Sequence, residues 1–145
     1  MKKLYIFGGF CPLTSTSCIV YDIKTNKWEE RAKILENRKL SACAVFEGKI
    51  VVSGGFYKQE SKSVEVYDHC ANSWTKMSDM LERRHKHSSV SINNKLYMIG
   101  GGSEFCEVFD SLVSKFHLYQ TNIANLQTLG WSNIMRYNQK QISGP

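Results

Sequence analysis

Leu4–Gly9 reads LYIFGG, Ile50–Gly55 reads IVVSGG and Leu96–Gly101 reads LYMIGG: three apolar runs, each stopped by two glycines. The leading glycines Gly8, Gly54 and Gly100 follow one another at an interval of 46 residues. A period of about 40–50 residues holds one four-stranded antiparallel sheet, the unit a β-propeller repeats around its axis. An apolar run ending on a glycine pair reads as the end of a strand. Glycine adopts torsions closed to other residues and lets a neighbouring backbone approach. Gly8, Gly9, Gly54, Gly55, Gly100 and Gly101 are therefore assigned a structural role.

Two further landmarks keep the same step. Tyr21-Asp22 recurs as Tyr67-Asp68 after 46 residues and, more loosely, as Phe109-Asp110 after 42. Seven residues beyond each aromatic stands another, Trp28, Trp74 and Phe116. Asn26 and Asn72 share one slot between them, where a tight turn needs a residue that tolerates the left-handed conformation. The aromatics are read as the packing anchors of a hairpin. Arg38 and Arg84 are also 46 apart, and the small side chains after them (SACAVF, SSVSI) suit an innermost strand crowded around an axis. Each unit is thus strand a (about 41–46 and 88–92), strand b ending at the glycines, strand c ending at Tyr/Phe-Asp, and strand d starting at the Trp. Short turns join them and no helix is required.

A glycine pair, a Tyr-Asp, a Trp seven residues on and an Arg before the next inner strand resemble the kelch repeat. The wording VEVYD (64–68) and ERRHKHSSVSINNKLYMIGG (82–101) is most similar to the kelch-like proteins that carry BTB and BACK domains before their propeller. The resemblance spans about residues 3–116, with repeat units at about 1–37, 38–83 and 84–116. It implies a closed ring of usually six blades, whereas this sequence spells parts of three and opens at strand b. The expectation is an all-β, partial, open kelch propeller: about two complete four-stranded blades, an incomplete one, and an atypical tail over 117–145. That tail holds eight Asn or Gln and no acidic residue. It is read as disordered or as a degenerate strand. An arc of three blades leaves two terminal faces bare. Poor solubility, a large apolar patch or self-association is expected, and a two-fold dimer would complete a ring.

Composition narrows the function. The formal net charge of +6 favours acidic partners weakly, since the Lys and Arg are scattered. Five cysteines show no Cys-x-x-Cys, so reduced thiols in a cytoplasmic protein are expected, not a disulfide framework or a zinc site. The start MKKLYIFGGF has the charge pattern of a short signal peptide, but its glycines match the internal copies and make it a strand. No apolar run approaches the roughly 18 residues of a membrane-spanning helix. Basic balance alone does not point to nucleic acid. There is no phosphate-binding glycine loop, nucleophile elbow or paired carboxylate set, so no enzyme, cofactor or metal is expected.

Recognition is expected in the loops. The resemblance places the partner face on the b–c loops (Phe10–Ser17, Phe56–Ser63, Gly102–Ser103) and on the d–a segments holding Arg38 and RRHKH at 83–87. Arg38 and Arg84 stand where that family often aims arginines at an acidic peptide, and a guanidinium binds carboxylates bidentately. With Phe56 and Tyr57 as rigid anchors, and His85, Lys58 and Phe10 behind them, they form the candidate partner-binding set. Arg38 and Arg84 have an alternative role satisfying backbone carbonyls between blades, and Phe10 and Phe56 one in packing against the next blade. His85 and His87, at i and i+2, would share a strand face. The functions implied are substrate recognition for a cullin ubiquitin ligase, whose BTB-dependent link is absent here; alternatively actin binding; or a truncated fragment with no independent activity.

Overall fold

The computed structural model describes residues 3–9 and 16–120, and these form three successive antiparallel sheets. Blade 1 is three-stranded: β1 (Lys3–Phe7), β2 (Cys18–Asp22) and β3 (Lys27–Arg31). Blade 2 comprises β4 (Ala42–Phe46), β5 (Lys49–Ser53), a small hairpin of β6 (Phe56–Tyr57) and β7 (Gln59–Glu60), then β8 (Val64–Asp68) and β9 (Ser73–Lys76). Blade 3 comprises β10 (His87–Ile92), β11 (Lys95–Gly100), β12 (Phe105–Asp110) and β13 (Lys115–Gln120). The main sheets run in the order β4-β5-β8-β9 and β10-β11-β12-β13, the meander a propeller blade requires. β13 continues past Phe116 to Gln120, so the third blade reaches further than the 116 boundary read from sequence. The rest of the tail, 121–145, and Phe10 of the partner-binding set lie outside the described residues.

The turns show why these residues form these strands. Glu47-Gly48 (φ 48 and 74) and Asn93-Asn94 (φ 50 and 57) close the a–b hairpins. Two successive positive torsions match the right-handed twist of the strands they join. Asn26 (φ 56) and Asn72 (φ 48) take the left-handed slot of the c–d turn, and Ser114 (φ 52) takes it in blade 3. The aspartates that open these turns cap them: Asp68 Oδ1 accepts from the N–H of Cys70 and of Ala71, both at 2.9 Å.

Alternation along each strand sends one face to the blade before and one to the blade after. Between blades 1 and 2, Tyr5, Phe7 and Cys18 meet Val52, Tyr67 and Trp74. Phe7 sits edge-on to Trp74 at 5.6 Å, and the Trp74 indole N–H donates to the Ala32 carbonyl at 2.8 Å. Between blades 2 and 3, Phe46, Val51 and Val64 meet Leu96, Met98, Phe109 and Phe116. Cys18 and Cys106 are buried within these sheets, and burial pushes the Cys106 thiol up to about 11. Cys70, in the c–d turn, is exposed as its position predicts.

The candidate partner-binding face

The b–c loops of blades 2 and 3 and the d–a segments gather at one end of the blades, where the glycine pairs bring backbones together. The Gly9 N–H donates to the Arg38 carbonyl at 3.2 Å and the Gly55 N–H to the Arg84 carbonyl at 2.8 Å. The first two glycine pairs thus hydrogen-bond the segments that enter blades 2 and 3. Gly54 has φ 56, and a Cβ there would collide with the Arg84 carbonyl and stand 2.7 Å from His87 Cε1.

Arg38 and Arg84 do not face a partner. Their side chains are 1 % and 0 % exposed. Arg84 donates from Nη1 to the Gly100 carbonyl at 2.8 Å and from Nη2 to the Phe105 carbonyl at 2.7 Å. Its Nε lies 2.9 Å from Glu107 Oε1. Arg38 repeats the arrangement, donating to the carbonyls of Gly54 (2.7 Å) and Ser63 (3.2 Å) and pairing with Glu65. Each carboxylate also takes two backbone N–H groups of the incoming segment, Leu35 and Glu36 on Glu65, Leu81 and Glu82 on Glu107. The pair therefore clamps the d–a segment onto its own blade. This corrects the assignment of both arginines to partner binding and places the carbonyls they satisfy within a blade, not between blades. A buried guanidinium needs a carboxylate and several acceptors at once, and the strand-c glutamates supply it.

Those glutamates, Glu65 and Glu107, escaped the sequence reading although a signal was present. ENR at 36–38 recurs as ERR at 82–84, and both glutamates lie on strand c three residues or fewer before its aromatic. Their separation from the arginines, 27 and 23 residues, hides the pairing from any local pattern.

The RRHKH cluster divides. Arg84 and His87 turn inward, while Arg83 and Lys86 are exposed and His85 is half-buried. Lys86 has φ 55, which breaks the alternation between His85 and His87, so the two rings do not share a strand face. His87 Nε2 lies 2.8 Å from Ser53 Oγ at the blade 2–3 junction. Burial, reinforced by the charges of Arg84 and His85, holds its pKa down to about 4. His85 Nδ1 lies 2.8 Å from Glu60 Oε1. Among the described residues no cluster of His, Cys, Asp or Glu has the makings of a metal site.

Phe56, Tyr57 and Lys58 do come together, on the small hairpin. Lys58 (φ 60) forms its tip, its ammonium 5.7 Å from the Tyr57 ring, and Tyr57 is 45 % exposed. Phe56 is half-buried between the Lys39 ammonium at 5.4 Å and the His85 ring at 5.8 Å, bridging two blades as the packing alternative foresees. The Phe56 N–H donates to the Lys39 carbonyl at 2.8 Å, and Arg83 holds the Glu60 carbonyl at 2.8 Å. Beside the hairpin opens a cleft of about 950 Å³ walled by Glu60, Glu82, Arg83, His85, Lys86 and Glu104. Acids and bases balance there, so the cleft is not the basic surface that Arg38 and Arg84 would have made.

Comparison with known proteins agrees with this architecture. The solved structure of YjhT, a kelch-type propeller, superposes with a TM-score of 0.73 at 20 % sequence identity. The superposition covers 83 % of this chain and 48 % of YjhT, so the chain spans about half the length of that protein. A search of curated proteins returns no match. The profile of the Kelch motif matches residues 2–33 and 37–81, more than half of the chain and all of its first two blades. The third blade, beyond that match, repeats the same four-stranded meander, clamp and glycine pair, and the chain belongs to the kelch-motif family.

Proposed function

We propose that this chain is a non-catalytic protein-recognition module whose partner lies along the glycine-pair end, across the Phe56–Glu60 hairpin and the Arg83–Lys86 segment. The observation that carries the reading is the exposed Tyr57 on a hairpin pinned by backbone hydrogen bonds, beside a cleft large enough for a peptide segment. A rigidly held aromatic beside an arginine is the composition of a binding hot spot. Because Glu60, Glu82 and Glu104 face Arg83, His85 and Lys86, a partner segment of mixed charge suits the cleft better than a purely acidic one. Substrate recognition for a cullin ubiquitin ligase is the role we favour. Its support is the likeness of VEVYD and ERRHKHSSVSINNKLYMIGG to the kelch-like proteins.

Fluorescence anisotropy with two labelled peptide pools tests the surface, one acidic and one of balanced charge with aromatic residues. Tyr57→Ala and Arg83→Ala are each expected to weaken binding of the balanced pool by about 5- to 30-fold, equivalent to about 1–2 kcal/mol. Affinity unchanged in both variants, or no binding of either pool to the folded protein, would count against the assignment.

A further inference from the structure

Blades 2 and 3 follow one plan except between strands b and c. From the glycine pair to strand c, blade 2 has FYKQESKS (56–63) and blade 3 only GSEF (102–105), four residues shorter. What blade 3 lacks is the stretch that makes the β6–β7 hairpin in blade 2. Gly102 stands in the slot of Phe56, and His85 in the slot of Lys39.

The shorter loop changes the hydrogen bonding of the d–a segment. In blade 2, Lys39 and Phe56 form an antiparallel bridge. The Lys39 N–H donates to the Phe56 carbonyl at 3.2 Å, and the Phe56 N–H to the Lys39 carbonyl at 2.8 Å. The Ser61 N–H then closes the loop on the Gly55 carbonyl at 2.9 Å. In blade 3 no described residue makes the matching bonds to the His85 N–H, the His85 carbonyl or the Gly101 carbonyl. The backbone keeps the blade 2 shape there. Lys86 has φ 55 where Leu40 has φ 56. A Cβ on Gly101 would stand 2.6 Å from the His85 carbonyl oxygen, as one on Gly55 would stand 2.9 Å from that of Lys39. The segment is shaped to pair with a strand that its own blade does not supply. His85, Gly101 and Gly102 help to wall the cleft of about 950 Å³, so these backbone groups lie at its edge.

We infer that a partner protein supplies the missing strand: an extended segment that pairs with His85 as Phe56 pairs with Lys39, with an aromatic side chain at the pairing position. This rests on the partner-binding reading above and specifies the form in which the partner fills the cleft. A strand added to a backbone edge gains main-chain hydrogen bonds, and its side chains give the specificity. Blade 2 shows which side chain suits the slot. The Phe56 ring lies 5.4 Å from the Lys39 ammonium, and in blade 3 the His85 imidazole stands in place of that lysine. His85 already packs edge-on against one aromatic, Phe56, at 5.8 Å. Glu60, Glu82 and Glu104 opposite Arg83 and Lys86 favour flanking residues of both charges.

Two experiments test this. In the first, a binding peptide from the balanced-charge pool is N-methylated at one residue at a time. In an antiparallel ladder one residue exchanges both bonds with its opposite, and the N–H groups of its neighbours point away. Methylating the amide of the aromatic residue is expected to weaken binding about 10-fold or more, and methylating either neighbour by less than about 3-fold. Binding that depends on Tyr57 and Arg83 but is indifferent to every methylation overturns the added strand and leaves the partner surface standing. Absence of binding overturns both. In the second, amide exchange followed by NMR probes the slot without a ligand. The His85 amide is expected to exchange at least about 10-fold faster than that of Lys39. Replacing Gly102–Phe105 with FYKQESKS is expected to slow it by a similar factor and to abolish peptide binding. A His85 amide as slow as that of Lys39 in the unaltered chain would mean that the slot is already filled, and overturns the proposal. So does a folded graft that leaves the His85 rate unchanged. Should the graft fail to melt cooperatively, the methylation scan and the comparison of His85 with Lys39 in the unaltered chain decide.

Discussion

At the scale of single residues, the two arginines carry the clearest lesson. Arg84 and Glu107 are both fully buried and 2.9 Å apart, so neither can be removed without stranding the other's charge. Arg84→Ala is expected to cost about 3–5 kcal/mol of stability in urea unfolding, whereas exposed Arg83→Ala should stay within about 0.5 kcal/mol. Equal effects of the two substitutions would refute the clamp. The recurrence of Arg38 and Arg84 at one interval is plain in the sequence. Their direction is not, because spacing records which residue returns and not which way its side chain turns. His87 gives a second residue-scale expectation. Its folded pKa of about 4 lies below the unfolded value of 6.5, so the native state binds fewer protons than the unfolded chain between those limits. Its contribution is complete above about pH 6.5 and is lost as pH falls toward 4, with a slope of at most about 1.4 kcal/mol per pH unit. Thermal melts across that range should show the decline in the wild type and a shallower one in His87→Asn.

At the scale of elements, the turns and glycine pairs were the most legible features. Asn26 and Asn72 have the positive torsions their slot demands, and strands a to d fall where the landmarks place them. Gly54 and Gly100 show how the same element ends differently. Gly54→Ala must accept a left-handed torsion and also displace the blade 3 backbone, for an expected loss of more than about 2 kcal/mol. Gly100→Ala bears the torsional cost alone, about 1–2 kcal/mol. Denaturant midpoints that shift alike for both would mean that blade 3 does not press on Gly54. The β6–β7 hairpin was not foreseen. The five residues FYKQE carry no turn signal of the Asn-Gly kind, and Phe56 also pairs with Lys39 across the loop.

At the scale of the whole molecule, a row of blades that touch only their neighbours should have stability graded along the row. Blade 2 is covered on both faces, with Val51, Val52, Val64 and Tyr67 each no more than 1 % exposed. Hydrogen exchange followed by mass spectrometry should find β5 and β8 the slowest to exchange at concentrations where the chain is monomeric. Exchange as slow in β1 and β3 as in β5 would contradict the gradient.

Sequence alone determined the period, the four-strand unit, the positions of its turns and the identity of its packing aromatics. These depend on local torsional preference and on alternation within a strand, both written in consecutive residues. Only the tertiary structure decided which charged residues look outward. Arg38 and Arg84 turn in because carboxylates 27 and 23 residues away meet them across folded strands, leaving Tyr57, Arg83 and Lys86 to face solvent. The orientation of a charge is set by where its counter-charge and acceptors come to lie, and that is a property of the packed blades.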